Sequence, residues 1–557
     1  MRLGEVNGGK SMADTKGATL VAQQLKASGI DHVFTVLGGP MIDVLAECDA
    51  AGIRVINCRH EMNASFAASA WGYLNQKPGV MIAASGPGMT NCVTPMYVAT
   101  ESAMPLIVLG GSAAEGQLGA GGFQEADQVA FAKPATKWAQ RVDRAERIPD
   151  LIYLAMSRAQ YGRPGAVYLD FPGNLVSGPG RIDHADVRIR DDAPEVSFAA
   201  PDPASVERIA EMLSSAERPL IMIGKGAAWG DAGLALTRLA DLGIPFIASP
   251  MGRGAVPDDH ESNAGAARSA AMAGADAVLM VGARFNWMFQ MGQRLASGVR
   301  VAQIDVEPEE FHSAAPVELG LVADVRVASE ALNEALAGRT LRAASSGWLN
   351  TLREKSRENE GSVSEQMTSG QQPINHYRLA ADVRDSIERD AIYVEDGEFT
   401  MAVTRQVQPA YVGRHRFGAG TTGCVGTGVP YAVGAKLARP DRQVVAVVGD
   451  YAFGAAAMEV ETCARLDIPI VIVVSNNGGI AAHSIQDRSF PPEAPPIATL
   501  LPVDYERMVE MVGGYAERVT DPDELRPAME RAFASNKVSL LNVITDPKAK
   551  RRGGGYL

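Results

Sequence analysis

Residues 444–479 read VVAVVGDYAFGAAAMEVETCARLDIPIVIVVSNNGG. Two unbroken apolar runs, Val444–Gly449 and Ile468–Ser475, flank a stretch of helical character. Runs that stay apolar on both faces are typical of strands in a parallel sheet covered on both sides. In such a sheet the strand ends emerge on one edge, where ligands bind. The pattern therefore brings Asp450 and Asn477 together across a long gap in sequence. A carboxylate, an amide oxygen and a nearby backbone carbonyl are hard oxygen donors suited to Mg2+, which keeps its other positions for water or phosphate oxygens. A helix N-terminus and glycine N–H groups at the same edge suit phosphate. Taken singly, an Asp at a strand end and an Asn-Asn-Gly turn are ordinary punctuation. It is their pairing that points to a metal and a phosphate group at one edge.

The alternation seen here recurs along the chain. Strands are expected at His32–Leu37, Arg54–Arg59, Gly79–Ala84, Pro105–Gly110 and Ala166–Phe171. A second set comprises Pro219–Gly224, Pro245–Ser249, Ala277–Gly282 and Arg300–Val306, and a third Ala391–Glu395, Val444–Gly449, Ile468–Ser475 and Leu540–Thr545. Polar stretches separate the sets: Ser177–Pro203, and Arg353–Pro373 with almost no apolar residue, which is linker composition. The expected fold is α/β, with three doubly wound parallel-sheet domains. Their spans are 13–185, 200–340 and 374–546, with a linker at 341–373 and a basic tail at 547–557. The three could be distant copies of one plan.

A chain of 557 residues is too long for a single core. The net charge of −13 argues against a nucleic-acid partner. Five cysteines, none in a CxxC pair, fit a reducing cytoplasm and offer no metal or disulfide framework. No apolar run is long enough for a membrane span, and the N-terminus lacks a signal-peptide core.

The GDY…NN pair resembles the motif of thiamine-diphosphate enzymes, GDG followed at a distance by NN, with Tyr451 in place of the last glycine. The resemblance implies thiamine diphosphate and Mg2+ as cofactors. The metal ligands are then Asp450, the Asn477 side chain and the Gly479 carbonyl, with Gly449, Tyr451, Ala452 and Ile480 against the cofactor. Residues 58–73, CRHEMNASFAASAWGY, and 84–91, ASGPGMTN, match a second family motif. On the residues alone, Glu61 is an acid at a helix start. By resemblance it shares a proton with the cofactor's pyrimidine ring and so activates the thiazolium, while Pro87 and Asn91 pack near the ring. Residues 417–436, FGAGTTGCVGTGVPYAVGAK, contain a GxGxxG, but the preceding RHRF is not a convincing strand and a lone match of that pattern is weak. The resemblance makes this segment the apolar wedge that bends the cofactor, with Val425 at the wedge and backbone groups of Gly423 and Val425 bonding the pyrimidine. It also implies a homodimer or homotetramer with active sites between subunits.

The middle segments 218–229, 244–260 and 265–287 (RPLIMIGKGAAW, IPFIASPMGRGAVPDDH, GAARSAAMAGADAVLMVGARFNW) are similar to the oxalyl-CoA decarboxylase and 2-hydroxyacyl-CoA lyase branch. The likeness continues through 73–80, 162–175 and 475–480. It implies an acyl-CoA substrate, and leaves open whether a nucleotide such as ADP is a further ligand of the middle domain. The reaction implied is attack of the thiamine ylid on the thioester carbonyl, with formyl-CoA released. From a 2-hydroxyacyl-CoA the other product is an aldehyde or ketone; from oxalyl-CoA it is CO2. An acetolactate-synthase-like enzyme and a non-catalytic cofactor-binding regulator are the remaining readings.

Several residues bear on the substrate. Oxalyl-CoA decarboxylases carry Tyr near Phe123, and they and many lyases have an aromatic after NNGGI, where this chain has Ala481 and Ala482. The wider pocket suggests a branched acyl group such as 2-hydroxyisobutyryl. DGEFTMA, residues 396–402, replaces an EGANTMD-like run and puts Glu398 and Phe399 at the cofactor edge. Arg268, Arg284, Lys548, Lys550, Arg551 and Arg552 are candidate phosphate partners, against the reading that they are merely solvated. A lyase must deprotonate a 2-hydroxyl. The loop 483–497, HSIQDRSFPPEAPPI, offers His483 and Glu493 as bases, and Gln124 is a polar substrate contact or a helix cap.

Overall fold

A computed structural model describes residues 15–177, 187–191, 198–480 and 482–551, with the side chains of 482–484 left out. Two compact units divide the chain. One holds residues up to 72, 77–100 and 104–195; the other holds 73–76, 101–103 and the chain from 196 onward.

Every ladder within the three sheets is parallel. The first unit is built on β1 (His32–Thr35), β2 (Arg54–Asn57), β3 (Gly79–Ala83), β4 (Leu106–Ser112), β5 (Trp138–Arg141) and β6 (Ala166–Pro172), in the order β2-β1-β3-β4-β6-β5. The second unit carries a sheet of β7 (Pro219–Ile223), β8 (Phe246–Ala248), β9 (Ala277–Val281), β10 (Arg300–Asp305) and β11 (Leu319–Val322), ordered β11-β10-β9-β7-β8. Its other sheet joins β12 (Ile392–Asp396), β13 (Arg416–Phe417), β14 (Val444–Gly449), β15 (Val471–Asn476), β16 (Tyr515–Val519) and β17 (Ser539–Ile544), ordered β13-β12-β14-β15-β17-β16. The first and last sheets thus share one winding, and the middle sheet follows the same plan for its first four strands. Central strands such as β3, β7 and β15 are buried along their whole length, so helices cover both faces.

Four strands were not foreseen: β5, β11, β13 and β16, and all four are sheet edges. An edge strand is incompletely covered and loses the continuous apolar run. β5 is half-buried at every position, and β11 alternates buried and exposed. RHRF, judged an unconvincing strand, supplies β13, paired to β12 through Tyr393↔Arg416 and Val394↔Phe417. Its charged residue is buried because Arg416 pairs with the buried Glu395 at 2.6 Å.

The stretch expected to be an irregular linker is largely helical, at Trp348–Gly361 and Ser364–Met367. Trp348, Leu352 and Ser356 recur every four residues as the buried stripe of the longer helix, and the Trp348 indole donates to the Pro219 carbonyl at 3.0 Å. A helix held by so few anchors, with every other face polar, has the composition of a linker.

Candidate active site

β14 and β15 lie side by side, with Gly449 opposite Ser475. Their ends bring Asp450 to the Asn477 turn. Asp450 is buried; one carboxylate oxygen accepts from the Tyr451 N–H at 2.7 Å, the other from the N–H groups of Gly478 (2.7 Å) and Gly479 (2.9 Å). Burial pushes its pKa up to about 6 against the pull of those donors. A buried anion of this kind favours a neighbouring cation. Asn477 is also buried. Gly479 adopts a φ of +145°, and a Cβ there would stand 2.1 Å from the Ala498 carbonyl oxygen, so the turn admits only glycine. Strand-like bonds close it: Ile480 N–H to the Ala498 carbonyl at 2.9 Å, and Leu500 N–H to the Gly478 carbonyl at 2.8 Å. Among the described residues no three His, Cys, Asp or Glu side chains gather as a metal site. A carboxylate, an amide side chain and a glycine carbonyl at one edge are hard oxygen donors of the kind that suits an ion completing its shell with water and phosphate oxygens.

In the first unit, Glu61 opens the helix Glu61–Asn75, and its carboxylate accepts from the Asn91 side chain at 2.9 Å. A Cβ on Gly88 would lie 3.5 Å from the other Glu61 oxygen. Pro87 is exposed at the start of the short helix Pro87–Thr90. Gln124 does not cap a helix; Asp127 caps the one that follows. Gln124 instead accepts from the Ser85 hydroxyl at 2.8 Å, in a left-handed backbone with φ +55°. Phe123 stands 82% exposed beside it.

Sequence reasoning missed the residues that hold these turns. Gln128 is buried; it accepts from the Gly86 N–H at 2.6 Å and donates to the Gly111 carbonyl, the Tyr168 hydroxyl and Asp170. Glu125 accepts from the N–H groups of Gly119, Gly121 and Gly122, which hold its pKa below the usual range. Gln486 accepts from Ile497 and Ala498 N–H, both at 3.0 Å, and so folds the loop after the Asn477 turn back onto itself. Only the run of glycines around 119–122 hinted at any of these.

The remaining candidates divide by environment. Gly449 caps the helix that begins at Asp450, Ala452 is buried within it, and Tyr451 (48%) and Ile480 (37%) are exposed. Gly423 and Val425 are exposed beside the start of the helix Gly428–Ala438. Glu398 pairs with Arg551 at 2.7 Å, which ties the start of the tail to the helix Glu398–Val407. Phe399 turns to the buried His376, ring to ring at 4.6 Å. Lys548, Lys550 and Glu493 are exposed. Arg268, expected to meet phosphate, is instead a packing residue. It donates to the carbonyls of Ala248 (3.0 Å) and Met288 (2.8 Å) and lies over the Phe289 ring, and burial lowers its pKa to about 10. Arg284 pairs with Glu310 at 3.2 Å. Ala481, the His483 side chain and Arg552 lie outside the described residues.

Parallel sheets with a buried carboxylate and amide at adjacent strand ends are an arrangement suited to a phosphate-bearing ligand held through a divalent cation. Three family models match the chain: thiamine pyrophosphate enzyme N-terminal TPP binding domain over residues 15–131, central domain over 206–333 and C-terminal TPP binding domain over 396–543. The chain is 35% identical to a 2-hydroxyacyl-CoA lyase of Oryza sativa, covering 97% of this chain and 96% of that one. It is 34% identical to oxalyl-CoA decarboxylase of Escherichia coli, over 97% and 96%. It is 37% identical to an acetolactate synthase large subunit of Mycobacterium tuberculosis, over 95% of each. The chain belongs to the thiamine pyrophosphate enzymes. It is a carbon–carbon lyase that works with thiamine diphosphate and Mg2+.

Proposed function

We propose that this enzyme cleaves a short, branched 2-hydroxyacyl-CoA, such as 2-hydroxyisobutyryl-CoA, to a ketone and formyl-CoA, reversibly. The observation that carries the reading is the full-length similarity to a protein named 2-hydroxyacyl-CoA lyase, together with the carboxylate, amide and glycine turn at the end of β14 and β15. The branched preference rests on sequence: alanines follow Ile480 where the branch has an aromatic ring.

When bound, thiamine diphosphate supplies the nucleophilic carbon and the electron sink. Asp450, Asn477 and the Gly479 carbonyl hold Mg2+ and through it the diphosphate. Glu61, oriented by Asn91, would hold a proton at the pyrimidine ring, and Val425 would pack against the bound cofactor. Phe123 and Ile480 present apolar surface to the acyl group, and Gln124 offers it an amide. Glu493 or His483 takes the proton of the 2-hydroxyl. Lys550, Arg551 and Arg552 serve the coenzyme A phosphates, and the middle domain takes a nucleotide such as ADP. Two or four copies assemble, with sites completed between subunits, and the compartment is the cytoplasm. No helix among the described residues is long and apolar enough to cross a membrane.

The test is a product assay with thiamine diphosphate and Mg2+. Acetone plus formyl-CoA from 2-hydroxyisobutyryl-CoA is the expected result. The similarity to an oxalyl-CoA decarboxylase favours a second reading. Turnover of oxalyl-CoA alone, with CO2 and formyl-CoA as products, would establish it and discard the branched pocket.

A further inference from the structure

The segment that carries Val425 is fastened by one side chain. Asp396 ends β12, is 1% exposed, and gathers three backbone N–H groups. One oxygen accepts from Gly426 at 2.9 Å and from Gly428 at 2.8 Å, and the other accepts from Gly397 at 2.7 Å. The glycines allow a close seat. Gly426 has a φ of +91°, and a Cβ there would meet the Ala455 Cβ at 2.7 Å. A Cβ on Gly428 would meet Val448 Cγ1 at 2.6 Å and the Asp396 Cβ at 2.9 Å. Val425 stands 41% exposed one residue before the fastened point. Gly428 also begins an eleven-residue helix, whose N-terminus favours an anion.

We propose that Asp396 is a positioning residue for the reaction: by clamping Gly426 and Gly428 to the end of β12 it fixes where the Val425 side chain stands. The inference rests on the reading of Val425 as a support for the bound cofactor. An acceptor-only group suits the task, since three donors converge on its two oxygens. An amide would turn its NH2 toward at least one of them and lose that bond. The effect on chemistry is geometric. A reacting group displaced by about 1 Å loses on the order of 10²-fold in rate, without a matching loss of affinity.

The experiment uses the full chain loaded with thiamine diphosphate and Mg2+, comparing Asp396→Asn and Val425→Ala. Four quantities are read: amide hydrogen exchange of peptide 418–428, the near-ultraviolet circular dichroism of bound cofactor, cofactor half-saturation, and kcat and KM for whichever acyl-CoA the enzyme turns over. For Asp396→Asn, faster exchange in that peptide and an altered cofactor band are expected. kcat should fall by about 10- to 100-fold, while KM and cofactor half-saturation move less than about 3-fold. Asp396→Glu, which keeps the acid, should recover part of kcat. Val425→Ala should lower kcat with exchange unchanged. Faster exchange in Asp396→Asn with wild-type kcat and cofactor band would reduce Asp396 to a structural cap and overturn the proposal; unchanged exchange would overturn it as well. A wild-type kcat in Val425→Ala would instead defeat the reading of Val425, whatever Asp396 does. If Asp396→Asn does not fold, Gly426→Ala takes its place, since it displaces the segment without altering the acid; wild-type kcat there also overturns the proposal.

Discussion

Two carboxylates are held by donors of different kinds. Glu61 accepts from an amide side chain, whereas Asp450 accepts from backbone N–H groups. Their variants should separate. Glu61→Gln is expected to keep Mg2+ and diphosphate binding near wild type and to lower turnover by about 10²-fold or more; turnover near wild type, measured in the same product assay, removes Glu61 from the chemistry. Asp450→Asn should raise the Mg2+ needed for half-maximal activity by about 10-fold or more, because one anionic donor is lost, and a metal titration reads this directly. His376 gives a prediction of another sort. Its imidazole is buried between Ser475 and the Asp546 carbonyl, and burial lowers its pKa from 6.5 to about 4. The unfolded chain takes up this proton near pH 6.5 and the folded chain only near 4. The contribution is therefore fully present above pH 6.5 and is lost as pH falls toward 4. Asp396 and Asp450, both raised to about 6, act in the opposite sense over 3.8 to 6, so wild type alone mixes the signs. The clean measurement is the stability gap between wild type and His376→Gln. It should shrink by on the order of 3 kcal/mol from pH 7 to pH 4, and parallel curves would refute it.

At the scale of elements, the helix Trp348–Gly361 depends on three positions of a single stripe. Trp348→Ala should cost about 3–5 kcal/mol in denaturant unfolding, while substitution of its exposed Glu354 should cost under about 0.5 kcal/mol. The turn at Gly479 is as demanding for another reason. Gly479→Ala must push its Cβ into the Ala498 carbonyl, so cofactor binding is expected to weaken even though no ligand side chain changes. These contrasts mark what sequence could reveal. Asp450 and Asn477 were legible because parallel strands must end together, a rule that needs only the two apolar runs. Gln128, Gln486 and Asp396 were not, because each works by reaching backbone far along the chain. Asp396 bonds Gly428 from 32 residues away, and no periodicity records such a bond. The edge strands β5, β11 and β16 stayed hidden for want of continuous burial, β13 because it is two residues long and carries a charge, and the helix at 348–361 because its few anchors look like linker.

For the whole molecule, the cofactors belong to the folding equilibrium. A ligand that binds only the native state at about 100 times its Kd adds roughly 2.7 kcal/mol, so removing Mg2+ with a chelator and dialysing out thiamine diphosphate should lower the thermal midpoint. An unchanged midpoint would mean that the diphosphate edge is not loaded.

The shared order of the first and last sheets carries a further consequence. Strand for strand, β3 corresponds to β14, so the turn Ala84–Pro87 is the topological counterpart of Gly449–Ala452. One winding therefore sets two crevices at equivalent strand ends, each in a domain that matches a TPP binding family model, and they differ in the residues of one turn: Ser-Gly-Pro in the first and Gly-Asp-Tyr in the last.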